Sequence, residues 1–406
     1  MVKANSRKRV AVLGAGILGS CVALMLARRG ISVDLFDLES APMCGASRWN
    51  EGKIHLGYLY GADTTLETAR HLIPGGLAFA PLLQDLIEQP VSGHITQSDD
   101  IFLIHRDSVI GAEQASHYYH RVSELLRSHS GASNYLADVR SAIARPVTPA
   151  ELSSIADPAL VQAGFHVPER SVQTNWIADQ LCAALAAQPH IRQRMNTLVT
   201  GVGPVASATG PWRVVAEDVE AAYDFVVNAL WHGRIDIDRS AGIEPPVEWS
   251  NRYRLSLFVQ TRKAFALSSA VLAVGPFGDV KNYNGRDFYL SWYPAGLLSE
   301  SENSSPDLRL PENFIDTEKV IAGIRAGLHS AFQGIEPILQ DASAIRLAGG
   351  YVFAQGRGSL ASVTSTLHRR DRSGVVRLGH YYSIDTGKYS IAPWLADAVA
   401  REIAGD

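Results

Sequence analysis

The stretch Arg9-Val10-Ala11-Val12-Leu13-Gly14-Ala15-Gly16-Ile17-Leu18-Gly19 constrains this chain more than any other. An apolar strand runs into a Gly-x-Gly-x-x-Gly turn and then into a helix, Ser20 to Arg29, which stops at Gly30. In such a turn the first glycine makes the bend, the second lets backbone approach a pyrophosphate, and the third lets helix lie against strand. The free N–H groups at the helix start then face the phosphates. A second apolar strand, Ile31 to Phe36, ends at Asp37, 18 residues after Gly19. A carboxylate there is placed to grip an adenosine ribose. Strand, glycine turn, helix, strand and terminal acid in that order predict a dinucleotide site, and Leu38 follows at its rim.

Length divides the rest. The 406 residues exceed one simple core, and two domains are expected. With 46% hydrophobic and 19% charged residues and a formal net charge of -4, nothing favours nucleic acid or an anionic membrane as partner. The three cysteines, Cys21, Cys44 and Cys182, lack metal-ligand spacing, and no metal is expected. The apolar run Val10 to Leu26 is broken by glycines, so it reads as neither signal peptide nor membrane span, and the expected location is the cytoplasm. Periodicity predicts helices over 64–71, 78–88, 113–128, 175–187 and 317–332. Strands are expected at 101–104, 253–261, 270–274, 288–292 and 375–379. A hairpin is expected between 212–216 and 223–229, and a polar loop over 301–311. A nucleotide-binding domain over 1–92, 164–248 and 345–406, interleaved with a second domain over 93–163 and 249–344, accounts for this pattern.

Two more segments bear on which dinucleotide is bound. Ser47-Arg48-Trp49-Asn50-Glu51-Gly52-Lys53-Ile54-His55-Leu56-Gly57 is a polar, glycine-marked loop after the second strand. Asp385-Thr386-Gly387-Lys388-Tyr389 is a late turn opening the last helix, and its N–H groups suit the far end of a long cofactor. With the glycine turn, the acidic strand end and Val226-Val227-Asn228-Ala229, these motifs resemble, in order, the D-amino acid oxidase / glycine oxidase superfamily of FAD-dependent oxidoreductases. The Asn50 to Gly57 loop is also similar to that of the L-2-hydroxyglutarate dehydrogenase-like branch. The resemblance implies an α/β flavoprotein of the glutathione-reductase type. A Rossmann-like FAD-binding domain would be interleaved with an α+β substrate domain on a mixed or antiparallel sheet. It implies FAD contacts from Gly14, Gly16, Ile17, Leu18 and Gly19, and from Asp37 and Leu38. Ser47, Arg48, Asn50, Glu51, Gly52 and Lys53 would run beside the ribityl chain and flavin. Val199 would meet the adenine edge, Ala229, Leu230 and Trp231 would pack nearby, and Thr386, Gly387, Lys388 and Tyr389 would face the pyrimidine end. Leu230 stands where the family carries a glycine.

Members of this superfamily pass a hydride from a carbon bearing an amine or hydroxyl to flavin N5. The expected partners are therefore a small-molecule substrate and O2 or another electron acceptor. Lys388 at a helix start suits negative charge developing on the ring. Lys53 and His55 share one face of an extended stretch, and His55 is the better base at neutral pH. Tyr289 and Tyr293 share a face of a second-domain strand, and Tyr293 is a candidate substrate contact. Arg346 stands where relatives carry a carboxylate-binding arginine, with His368, Arg369 and Arg370 as the alternative anion contact. An NAD(P)H-dependent flavin monooxygenase and a non-catalytic nucleotide-binding scaffold are the competing readings.

Overall fold

The computed structural model describes residues 8–217, 219–302 and 315–406. All but the first two residues of the expected 301–311 loop lie outside them. A six-stranded sheet forms around Arg9–Leu13. From one edge its order is Gly374–Leu378, Tyr381–Asp385, Phe225–Asn228, Arg9–Leu13, Ser32–Phe36 and Ile191–Arg194. All neighbours run parallel except the Gly374–Leu378 edge strand. Alternation along the first strand sorts its two faces. Val10 and Val12 pack among the helices Ile17–Arg28, Glu67–Ile87, Thr174–Ala187 and Ala392–Ala404. Ala11 and Leu13 instead pack on a three-stranded layer with Trp212, Val214 and Tyr223.

The glycine turn fits as its spacing requires. Gly14 takes φ +96° and lies against the Ala229 carbonyl, while a Cβ on Gly19 would stand 1.8 Å from the Gly14 carbonyl oxygen. Helix and strand touch there, and only hydrogen fills the gap.

The second sheet has nine strands. Its path runs Leu297–Ser301, Ser250–Thr261, Asp287–Trp292, Gly278–Asn282, Ala270–Ala273, Asp100–His105, Val161–Val167 and Arg145–Pro146, with Ala342–Ala354 on the other edge of Ser250–Thr261. Only Ala270–Ala273 and Asp100–His105 pair in parallel, so the sheet is mixed and mostly antiparallel. The helices Thr317–Ala331 and Ile335–Gln340 bury Ile324, Leu328, Ile335 and Ile338 against one face. The opposite face looks toward the first sheet across the site. This is the two-domain architecture expected from the motifs.

Three local expectations are corrected. The helices expected at 64–71 and 78–88 are one helix, Glu67–Ile87, which runs through Pro74 and Pro81. Burial of Leu72, Ile73, Leu77, Phe79, Leu83 and Leu86 offsets the lost backbone bonds. The hairpin partner of Trp212–Ala216 is Val219–Tyr223, and Phe225–Asn228 goes into the parallel sheet beside Arg9–Leu13. Asp224 makes the break: its carboxylate accepts from Arg9 N at 2.7 Å. Finally, Val161–Val167 and Ala342–Ala354 lie wholly in the second sheet, so crossings placed at residues 164 and 345 would cut strands that hydrogen bonding keeps whole.

Gly19→Ala is expected to destabilise the fold by about 1–3 kcal/mol through overpacking against Gly14. Urea unfolding of purified protein, with cofactor retention followed in parallel, measures it.

Candidate active site

A cavity of about 1420 Å³ runs from the glycine turn to the interior face of the second sheet. That exceeds the roughly 300–1,000 Å³ of ordinary small-ligand pockets and suits a dinucleotide with a substrate beyond it. At one end lie Gly14, Gly16, Ile17, Leu18, Asp37, Leu38, Ser47 and Val199. Asn50, Glu51, Lys53, His55, Ala229, Leu230 and Trp231 line its length, and Thr386, Gly387, Lys388 and Tyr389 close the other end.

The first end is built around the glycine turn. A Cβ on Gly16 would stand 2.9 Å from Ser47 Oγ, which itself accepts from Ile17 N at 2.9 Å. Asp37 does more than wait for a ribose. Its Oδ2 accepts from Ala15 N at 2.6 Å and its Oδ1 from Glu39 N at 2.9 Å, so it also braces the glycine turn. Burial raises the Asp37 pKa, against those N–H bonds. Asn50 shapes the loop: its Nδ2 donates to the Ala46 carbonyl at 2.8 Å and its Oδ1 accepts from Gly52 N at 2.8 Å. At the late turn, Gly387 takes φ +59° and donates its N–H to Asp385 Oδ1 at 2.8 Å.

Past Ala229 and Leu230 the chain makes a short helical turn, Trp231–Gly233. The left-handed backbone falls on Trp231, φ +56°, an unusual conformation for so bulky a residue. Its Nε1 donates to the Tyr351 carbonyl at 2.7 Å and its ring meets Phe353 edge-on, which holds it beside the cavity.

Several expected contacts do not reach the cavity. Arg48 pairs with Asp179 at 2.8 Å and donates to the Met43 carbonyl, so it braces the loop from outside. Gly52 faces the Val172 carbonyl and Gly19 faces Gly14, both as packing positions. Arg346 is exposed, its guanidinium 5.1 Å over the Trp49 ring, which leaves it no role as a buried carboxylate clamp. Tyr293 leaves the strand to open a helical turn, Tyr293–Gly296, so it does not continue the Tyr289 face. It lines a second cavity of about 680 Å³ instead. Tyr289 is a core residue whose hydroxyl meets Ser256 Oγ at 2.9 Å.

Lys53 and His55 are both buried beside the cavity, but they differ in kind. Lys53 Nζ pairs with Asp100 and lies 3.7 Å from Glu169, and Lys281 Nζ reaches the same Asp100 at 2.7 Å. Burial would lower the Lys53 pKa, but Asp100 and Glu169 outweigh it and hold the ammonium above its ordinary range. Lys53 therefore stays charged, which removes it as a base. His55 is pushed well below its ordinary value by burial and then by Lys388 and Lys53. It is neutral at neutral pH, with Nδ1 buried and unpartnered. Lys388 is lowered to about 7, by burial first and Arg370 next, with Glu51 opposing.

Beyond Lys388 stands a group of which the sequence analysis named Arg370 and Tyr293 but missed Arg252, Arg254 and Tyr60. Arg252 and Arg254 share a face of the strand Ser250–Thr261. Arg252 Nη1 donates to the Tyr293 hydroxyl at 3.2 Å, and the Arg254 guanidinium lies 4.6 Å over the Tyr293 ring. Arg370 and Tyr60 lie close to Arg252. Arg252 Nε and Nη2, Arg254 Nε, Arg370 Nε and the Tyr60 hydroxyl are all buried without a partner. The available signal was Arg252-x-Arg254, two cations at strand spacing in an otherwise uncharged sheet strand.

The family model for DAO, FAD dependent oxidoreductase, matches residues 9–367. The chain belongs to this family. It is an FAD-dependent oxidoreductase, and the cavity that begins at Gly14, Gly16 and Ser47 is large enough to take FAD. Over 233 residues it is 32% identical to the tRNA 5-methylaminomethyl-2-thiouridine biosynthesis bifunctional protein MnmC of Polaromonas naphthalenivorans, a match covering 55% of this chain and 31% of that one. The chain thus spans about a third of the length of that curated relative. Glycine oxidase from Geobacillus kaustophilus superposes with a TM-score of 0.66 at 16% identity, over 97% of this chain and 94% of the other. Iminodiacetate oxidase from Chelativorans sp. BNC1 gives 0.66 at 16% identity, over 98% and 96%. These two likenesses are of fold. Among the described residues no helix is long and apolar enough to cross a membrane, and no cluster of three or more His, Cys, Asp or Glu could hold a metal.

Lys388 yields a pH-dependent prediction. Its folded value of about 7 lies below the ordinary 10.5, so between these the unfolded chain holds a proton the folded chain has lost. Stability therefore rises with pH across that window. Lys388→Met should stabilise the apoprotein by about 1–3 kcal/mol near pH 6, less than the full shift because the side chain borders solvent in the cavity. The gain should shrink toward about pH 10, as urea unfolding at the two pH values will read.

Proposed function

We propose that this enzyme oxidises a small carboxylate-bearing substrate at a carbon that carries an amine or hydroxyl. The observation that carries the reading is the unpartnered Nε and Nη2 edge of Arg252, buried at 3% exposure beside Tyr60 and Arg370. A buried guanidinium fork without an acceptor is costly, and a carboxylate fills it with two charge-assisted hydrogen bonds. The relatives named glycine oxidase and iminodiacetate oxidase support an amino acid over a plain amine.

FAD, when bound, supplies the two-electron acceptor. The chain's own groups do the rest. Arg252 and Arg370 hold the acid and so set which C–H bond faces the cofactor side of the cavity. Lys388, with a pKa near neutrality, takes a proton at Nζ from the substrate ammonium or hydroxyl. Once protonated it favours negative charge at that end of the site, together with the Gly387 turn. Neutral His55 offers Nδ1 as a hydrogen-bond acceptor without adding a second positive charge. The Lys53–Asp100–Lys281 cluster holds the loop in place. Reoxidation by O2 or by another acceptor belongs to the same proposal.

The test is an anaerobic screen of amino acids, N-substituted amino acids and 2-hydroxy acids for loss of the yellow flavin absorbance, with air readmitted afterwards. A carboxylate substrate should bleach the flavin, and Arg252→Met should lower kcat/KM for it by about 10- to 1,000-fold while FAD content is kept. Bleaching only by amines without a carboxyl group would overturn the reading.

A further inference from the structure

None of the three cysteines is used by the proposed reaction, and two of them meet in the fold. Cys44, on the loop after Asp37, is exposed and borders the main cavity between Met43 and Gly45. Cys182 comes from the helix Thr174–Ala187 and is half-buried. Their sulfurs share one acceptor. Cys44 Sγ lies 3.8 Å and Cys182 Sγ 3.4 Å from the Pro42 carbonyl oxygen. Cys21, by contrast, is sealed in the core. A disulfide holds its Cβ atoms about 3.8 Å apart, so bonding requires Cys44 to turn off the carbonyl and its loop to advance toward the helix.

The helix is fixed and the loop is not. Ile177, Ala178, Leu181 and Leu185 bury the helix in the core around Val10 and Val12. The loop is pinned on either side of Cys44: Met43 N donates to the Ala15 carbonyl at 2.9 Å, and Ser47 Oγ accepts from Ile17 N. Between those pins a Cβ on Gly45 would meet nothing within 4 Å, which leaves Cys44 room to move. Arg48 spans the gap by pairing with Asp179, on the same helix as Cys182. Burial raises both thiols above their ordinary range, and the Arg48 charge opposes it at each. The thiolate is the reacting form, so the pair oxidises slowly.

We infer that Cys44 and Cys182 are a redox-sensitive pair whose disulfide staples the cavity-side loop to the helix and slows the loss of FAD. The oxidant is a peroxide. Cys44 Sγ attacks one peroxide oxygen, the O–O bond breaks, and water leaves with a sulfenic acid on Cys44. Cys182 Sγ then attacks that sulfur, forms the S–S bond and expels the hydroxyl as a second water. The two thiols give up two electrons and two protons, and one hydrogen peroxide becomes two waters. The staple lies beside the glycine turn and is independent of which substrate the enzyme takes.

Reduced holoenzyme, freed of reductant, is exposed to hydrogen peroxide without substrate, and thiols are counted after denaturation. The chain has three cysteines, so the count should fall from three to one, with an intact mass lower by about 2 Da. Proteolysis should yield a linked peptide pair carrying Cys44 and Cys182. Release of FAD into a chaotropic salt, followed by the fluorescence of the freed flavin, should slow at least about threefold and recover with dithiothreitol. Cys182→Ser should gain oxygen mass instead and keep the release rate of the reduced enzyme. In the wild-type chain an unchanged thiol count, a mass gain in place of the loss, or a bond between two chains overturns the pair. A linked pair with unchanged FAD release overturns the staple. These outcomes are read on the wild-type chain and decide the matter even if the variant fails to fold.

Discussion

The buried cluster of Lys53, Lys281, Asp100 and Glu169 is the constraint on which the two sheets depend. Lys53 comes from the cofactor-side loop, Asp100 and Lys281 from the second sheet, and Glu169 from the segment returning to the first. Glu169 also accepts from Leu56 N at 2.6 Å, which fixes the backbone next to His55. Taking such charges out of water costs several kcal/mol per ion, and only complete pairing recovers it. No member is tolerable alone. The cluster therefore exists only when loop and sheet are docked.

That docking explains why neighbouring groups have such different properties. Lys53 is held charged by two carboxylates, whereas Lys388 faces arginines and only Glu51 opposes them. Two lysines lining one cavity thus divide into a permanent cation and one that titrates near neutrality. Burial lowers both, and at Lys53 the neighbouring carboxylates reverse the sign.

Much of the architecture was legible in the sequence because it is written in local patterns. The glycine turn, the acid after the second strand and the two-residue alternation each carry their meaning within a dozen residues. What was not legible depends on distant partners. Nothing near Pro74 reveals that packing will carry the helix through it. Arg346 and Arg252 look alike as single arginines, but strand register sends the first to the surface over Trp49 and the second into the interior beside Tyr293. Lys53 reads as a candidate base until Asp100, Glu169 and Lys281 are placed around it. The 16% identity with glycine oxidase at a common fold reflects the same division. Backbone geometry is specified redundantly, while the chamber is set by a few side chains.

The long antiparallel match between Ser250–Thr261 and Ala342–Ala354 runs from Ser250 opposite Ala354 to Thr261 opposite Ala342. A one-residue slip of the stretch around Val352 and Gly350 would turn Arg252 and Arg254 outward together. The spacing of these two arginines is thus set on a rigid ruler instead of a pliable loop. A lineage changing its diet would do so by swapping letters along that ruler, one rung at a time, with the distance between rungs fixed in advance by the pleat.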